Sequence, residues 1–323
     1  MAQLHFNAVA YQCAADETVL DALARQGVVI PSSCRNGVCQ TCLMQSDDTN
    51  VPSAAQNGLK PVLQAQNHFL ACICHPTEDM TITLPDSTNR LLAATVTAIR
   101  QLNGEVKCVD LDCPSLQHYC AGQFINLYHD SACARSYSLA SVPSDRYLQL
   151  HVRRLPGGRV SNWIHDTLQV GDKIQISTPV GSCLYLPGMA QQPMLLIGTG
   201  TGLAPLMGIA RDALNQHHTG DIYLYHGSQE VTGLYLINEL REMTEHYPNF
   251  HYIPCLSGVE VPAGFQGGRA VDIALATHSN LTGWRVFLCG NPNMVKSARK
   301  KAYLAKATMN DIYADAFLLA GTA

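Results

Sequence analysis

The chain has 323 residues, 47% of them hydrophobic and 14% charged, with a formal net charge of −4. That length exceeds one ordinary core and predicts two or three domains, while the apolar content excludes a disordered chain and the charge offers no basic footprint for nucleic acid. The opening MAQLHFNAVAYQC has no basic segment leading into an apolar one, and no apolar run approaches the ~20 residues of a membrane span, so a cytoplasmic protein without a membrane span is expected, its cysteines reduced or acting as ligands.

From the amino terminus, LHFNAVAY begins as an alternating strand, and Asp16 is expected to cap a helix over ETVLDALARQG, with Glu17 at its start, Gly27 at its stop and Val19, Leu20 and Leu23 on its inner face. VVIPSS then leads into SSCRNGVCQTC, and FLACIC follows. Cys34, Cys39, Cys42 and Cys72 are spaced C-x4-C-x2-C-x29-C. This is the plant-type arrangement for a 2Fe-2S cluster, in which one loop supplies three thiolates and a distant segment the fourth. A negatively charged cluster needs inward-pointing amides, and Asn36 and Gly37 tolerate the backbone angles such a nest requires, while Ser32, Ser33 and Thr41 keep its wall small. A zinc site competes, because Cys39-x2-Cys42 is half of one. It would want a second C-x2-C pair, however, and Cys72-Ile73-Cys74 is C-x-C. MTITLP alternates as a last strand and PDSTNR suits a linker, so the first domain is expected to span residues 1–88. It carries three basic and eight acidic side chains, a net −5, suited either to steering toward a basic docking patch or simply to solubility.

Residues 89–188 contain β-rich segments separated by turn residues at short intervals, which predict a sandwich or barrel. Within them, Arg135-Ser136-Tyr137-Ser138 places Arg135 and Tyr137 on one strand face, where Arg could hold a phosphate and Tyr could stack on a flat ring. A surface Arg beside a core Tyr is the plain alternative. LPGGRVSNWIHD sets a glycine pair before a helical start, either an anion site or an ordinary turn. Residues 189–323 alternate strands with helices and predict a parallel sheet. The first strand, MLLIG, runs into a turn of Gly198, Thr199, Gly200, Thr201 and Gly202 before LAPLMGIARDAL. This turn is not the G-x-G-x-x-G fingerprint, and by spacing alone it is equally a tight turn.

The order of cysteine loop, RSYS, PGGRVS, GTGTGLAP and CGNP resembles the ferredoxin-NADP reductase superfamily. Within it, the chain is most similar to the three-module NADH-dependent reductases that serve bacterial oxygenases such as ring-hydroxylating dioxygenases and phenol and methane monooxygenases. The resemblance covers nearly the whole chain. It implies a multidomain fold: a β-grasp 2Fe-2S ferredoxin domain, an antiparallel β-barrel flavin domain and an α/β parallel-sheet nucleotide domain. It implies FAD, with Arg135 on the pyrophosphate, Tyr137 on the isoalloxazine and Ser138 near its reactive nitrogen. Val152 and Arg153 match the next flavin-contacting strand, and Gly158, Val160 and Ser161 complete the pyrophosphate site. Gly198 to Gly202 become the pyridine nucleotide loop, with Cys289 and Gly290 beside the nicotinamide and Phe317 as the aromatic stacked on the flavin, although FLLAGTA extends the chain past the usual end. Ser138, Cys289 and Phe317 form the implied catalytic set. No Arg or Lys occurs in HGSQEVTGLYLINEL ahead of Arg241 to take a 2′-phosphate, so NADH is expected over NADPH. The implied activity passes electrons from NADH through FAD and the cluster to a partner protein, with an oxygenase component as the leading acceptor. A reductase for a sugar-deoxygenating dehydrase, a free-flavin or ferric reductase, and a non-enzymatic iron-sulfur redox sensor are the alternatives. The remaining cysteines are assigned to packing, and no histidine has metal or catalytic spacing.

Overall fold

The computed structural model describes residues 2–32, 35, 37, 40, 42–48, 51–85, 91–130 and 133–317. It divides into two compact units, Met1–Arg90 and Leu91–Ala323.

The first unit contains β1 (Ala2–Phe6), β2 (Val9–Cys13), α1 (Val19–Arg25), β3 (Leu43–Ser46), α2 (Pro61–Ala65), β4 (His68–Leu70) and β5 (Met80–Thr83). Its sheet runs β2-β1-β5-β3-β4, parallel only between β1 and β5. Alternation on β1 and β5 buries Leu4, Phe6, Met80 and Ile82, and α1 contributes Val19, Leu20, Ala22 and Leu23 to the same core. The cap of α1 differs from expectation: Thr18, not Asp16, receives the Asp21 amide at 3.1 Å and donates to the Asp21 carboxylate at 2.7 Å. That reciprocal pair outcompetes Asp16, which sits in the left-handed region at φ 62°. Glu17 instead turns back to Arg25, whose guanidinium holds its carboxyl down at about 2.

The second unit begins with β6 (Leu91–Gln101), β7 (Val106–Asp112), β8 (Phe124–Asp130), β9 (Cys133–Ser138), β10 (Leu148–Arg153), α3 (Arg159–Asp166) and β11 (Lys173–Ser177). These strands form one antiparallel sheet, β10-β7-β6-β11-β8-β9, around a core that includes Val109, Leu111, Ile125, Leu127, Leu150 and Val152. The expected barrel is not closed by a ladder. The edge strands β9 and β10 are joined by a single isolated bridge, Leu139 just past β9 opposite Leu150, and α3 packs against both strands.

The parallel sheet follows, from β12 (Met194–Thr199), α4 (Leu203–Asn215), β13 (Ile222–Ser228), α5 (Ile237–His246), β14 (Phe250–Leu256), β15 (Gln266–Gly267), α6 (Ala270–Thr277), β16 (Arg285–Gly290), α7 (Pro292–Leu304) and β17 (Ile312–Ala316). Its order is β15-β14-β13-β12-β16-β17, every pairing parallel. The near-continuous apolar runs of β12 and β16 reflect burial on both faces. Arg211 on α4 ties this layer to the antiparallel one through a bidentate pair with Asp145 at 2.8 and 2.9 Å. No helix among the described residues is long and apolar enough to cross a membrane.

Candidate functional site

In the first unit, Cys42 immediately precedes β3 and Cys72 follows β4. The two strands pair with Leu43 opposite Leu70, and the Ala71 amide donates to the Cys42 carbonyl at 3.0 Å, so the two thiols come within hydrogen-bonding reach of each other. Both cysteines are buried, and burial pushes the Cys42 thiol up to about 11. Arg35, Gly37 and Gln40 all have positive φ, at 55°, 80° and 59°, the backbone that turns successive amides to one side. A side chain on Gly37 would place its Cβ 2.8 Å from the Ile73 Cδ1 atom, next to Cys72. Cys34 and Cys39 lie outside the described residues. The described groups fit an iron-sulfur group: paired soft thiols, with left-handed backbone at Arg35, Gly37 and Gln40 in the segment ahead of Cys42.

In the second unit, a cleft of about 1360 Å³ opens with walls from both sheets. Arg135, Tyr137, Ser138, Arg153, Gly158, Val160 and Ser161 line it from the antiparallel part, and Thr199, Gly200, Thr201, Gly290 and Phe317 from the parallel part. Four expected contacts lie behind this wall. Val152 points into the antiparallel core, as its position beside the exposed Arg153 on an alternating strand requires. Gly198 and Gly202 pack the turn against its surroundings, an added Cβ falling 2.7 Å from Leu206 Cδ1 and 2.2 Å from the Cys289 carbonyl oxygen respectively. The Cys289 sulfur, expected beside the nicotinamide, is instead fully buried 3.7 Å from that of Cys183. Gly290, one residue on, takes the cleft-facing position.

The cleft presents donors for anions at two places. At one, the Arg135 guanidinium has the Ala134 carbonyl at 2.7 Å as its partner and no acidic one among the described residues, while α3 starts nearby at Gly158 without a side-chain cap. A Cβ on Gly158 would lie 2.4 Å from Ser161 Oγ, so a side chain there would displace that hydroxyl. At the other, the Thr199–Gly202 turn opens α4, with Gly200 at φ 55°. These features fit a flavin and a second nucleotide, each carrying a diphosphate.

Between them lies a contact that sequence reading missed. Ser138 Oγ donates to Asp315 Oδ2 at 2.8 Å, joining β9 to β17, and burial raises the Asp315 pKa against the opposing effect of that hydrogen bond. Their separation of 177 residues leaves no local signal. The Phe317 amide then donates to the Gly290 carbonyl at 2.9 Å, which sets Phe317 at the cleft.

Two buried histidines brace this wall. His226 Nε2 lies 3.3 Å from the Gly200 carbonyl with Tyr252 OH 3.4 Å from Nδ1, and His151 Nδ1 lies 3.2 Å from Tyr235 OH. The carbonyl partner assigns the His226 proton to Nε2. Burial pushes the two groups down to about 4 and about 3, so an unfolded chain takes up protons below pH ~6.5 that the folded state refuses. Stability therefore falls as pH drops from about 6.5 toward these values. A His226→Gln variant, which keeps a donor for Gly200, is expected to lose one proton from that slope, about 1.4 kcal/mol per pH unit between pH ~6 and ~4.5. Denaturation midpoints across this range measure it, and parallel wild-type and variant curves would refute it.

Three family profiles match the chain: a 2Fe-2S iron-sulfur cluster binding domain over residues 6–77, an oxidoreductase FAD-binding domain over 93–185 and an oxidoreductase NAD-binding domain over 196–300. The chain is 35% identical to the reductase subunit of an Amycolatopsis aromatic O-demethylase, covering 89% of this chain and 90% of that protein. It is 31% identical to the ferredoxin-NAD(P)+ reductase component of the Ralstonia naphthalene 1,2-dioxygenase/salicylate 5-hydroxylase systems, covering 98% and 97%. Among solved structures, the Amycolatopsis cytochrome P450 reductase GcoB superposes with a TM-score of 0.69 at 32% identity, covering 98% of this chain and 99% of that one.

Proposed function

This chain belongs to the three-module ferredoxin reductases, and from that premise we propose that it takes electrons from NADH, passes them through FAD to a 2Fe-2S cluster and delivers them to a partner enzyme, an oxygenase component. The observation that carries this reading is the cleft in which the Arg135–Ser138 strand and the Thr199–Gly202 turn line one space, linked by the Ser138–Asp315 hydrogen bond. We divide the chain at residues 88 and 188, a β-grasp module preceding an antiparallel flavin domain and a nucleotide domain. The unit break after Arg90 and the spans of the three family matches support that division.

Bound FAD supplies the conversion between a two-electron donor and a one-electron acceptor. The chain's own residues bind and orient. Arg135 and the uncapped start of α3 hold the flavin diphosphate, and Tyr137 and Phe317 offer flat apolar surface to the ring. The amides of the Thr199–Gly202 turn receive the diphosphate of the incoming nucleotide. Cys289 shapes the floor beneath Gly290. Ser138, positioned by its 2.8 Å hydrogen bond to Asp315, would hydrogen-bond near the reacting nitrogen of the flavin. In the first unit, Cys42 and Cys72 hold the cluster together with Cys34 and Cys39, and the acidic balance of residues 1–88 favours a partner with a basic docking face.

Titrating the oxidised holoprotein with NADH in the absence of oxygen is expected to bleach the flavin and cluster absorption together. A spectrum indifferent to NADH would sink the reductase reading. A Ser138→Ala variant is expected to retain its flavin and to slow NADH-driven flavin reduction by about 10²-fold, as measured by stopped-flow absorption. An unchanged rate would remove Ser138 from the reacting edge.

A further inference from the structure

Behind the turn proposed to receive the nucleotide diphosphate stands a side chain that does not itself reach the cleft. His226 lies near the carboxyl end of β13, opposite Gly198 of β12, and is 0% exposed. Gly200, Thr201 and Gly227 around it line the cleft, and His226 does not. Its Nε2 donates to the Gly200 carbonyl at 3.3 Å, so it holds the turn from the buried side. At the other ring nitrogen, Tyr252 OH donates to Nδ1 at 3.4 Å, which keeps the imidazole proton on Nε2. The buried Tyr235 ring meets the imidazole edge to face at 5.6 Å and limits its rotation.

The direction of the Gly200 carbonyl fixes that of the next amide. In a trans peptide the C=O and the following N–H point opposite ways, so an oxygen drawn toward buried His226 turns the Thr201 amide toward the cleft that Thr201 lines. Amides at the start of a helical turn have no partner inside it and are available to a phosphate. Sterics do not hold this peptide in place. Gly200 sits at φ 55°, and a Cβ added there would meet nothing within 4 Å. The Leu203 amide is shared between the Gly200 and Thr201 carbonyls, which leaves His226 as the donor aimed at Gly200 alone.

We infer that His226 is a positioning residue for the reducing nucleotide: it sets the Gly200–Thr201 peptide so that the Thr201 amide meets the dinucleotide diphosphate. The inference rests on the nucleotide cleft proposed above. Anaerobic stopped-flow reduction of the flavin in the full-length holoprotein, followed against NADH concentration, tests it. His226→Leu keeps bulk and removes the donor. It is expected to raise the half-saturating NADH concentration about 10-fold and to leave the limiting rate within about twofold, because the lost interaction is made equally before and during hydride transfer. His226→Gln keeps a donor and is expected to stay within about threefold of wild type. The calorimetric affinity for ADP-ribose, which carries the diphosphate without the nicotinamide, is expected to fall in His226→Leu by about the same 10-fold. Wild-type half-saturation or wild-type ADP-ribose affinity in His226→Leu overturns the inference. So does a His226→Gln variant no better than His226→Leu, since packing alone would then account for the loss. Should His226→Leu not fold, Tyr252→Phe carries the test: freeing Nδ1 is expected to raise the half-saturation about threefold, and no change overturns the inference. A wild type whose flavin NADH does not reduce would instead overturn the cleft assignment itself.

Discussion

Replacing Gly202 with alanine is expected to lower kcat/KM for NADH by about 10²-fold while leaving flavin content unchanged, because a displacement of about 1 Å at a binding turn is enough for such a loss. Gly202 has φ −59°, so the constraint is space and not backbone angle. The methyl group would sit 2.2 Å from the Cys289 carbonyl oxygen, 2.6 Å from its carbonyl carbon and 2.9 Å from Gly290 Cα. All three are backbone atoms of β16 and its end, so no side chain can rotate away. Either the turn lifts off or β16 retreats, and each separates the amides of the Thr199–Gly202 turn from Gly290 across the nucleotide path. Stopped-flow flavin reduction against NADH concentration distinguishes a raised half-saturation from a slowed limiting rate. Wild-type behaviour in both would mean that the turn does not hold the nucleotide.

Cys72→Ser is expected to abolish transfer to the protein acceptor while NADH still reduces the flavin. Cys72 is buried on the segment after β4, paired with Cys42, and a hydroxyl is a harder and less readily ionised ligand than a thiol. Loss of groups that merely support a ligand costs roughly 10–100-fold in metal affinity, so loss of a ligand itself should cost at least that. The expected readout is a missing or altered cluster absorption, flavin reduction near the wild-type rate, and acceptor turnover at background. Undiminished acceptor turnover would show that electrons leave by another route.

Short-range pattern made much of this protein legible. The cysteine spacing needs only one loop and one return segment, and Cys42 and Cys72 flank the paired strands β3 and β4 within hydrogen-bonding reach of each other. The Gly198–Gly202 turn was readable because glycine is required wherever backbone approaches backbone, and Gly202 against Cys289 is such an approach. Alternation placed Arg135 and Tyr137 together on β9. It was less reliable at ends: the helix cap moved from Asp16 to Thr18 because a reciprocal hydrogen bond, invisible to a single-residue preference, decided between them.

The sequence by itself determined the three modules, the cysteine spacing behind the ligand set proposed for the cluster and the two turns proposed to receive diphosphates, since each is carried by short motifs and their order along the chain. Only the tertiary structure decided what meets across segments. It joined Ser138 to Asp315, sank the Cys289 sulfur against Cys183, and left the antiparallel sheet with one bridge between its edges. For the contacts made by β16 and β17 the physical reason is that a parallel sheet places successive strands side by side only after long crossovers, so chemical neighbours at its carboxyl edge are remote along the chain.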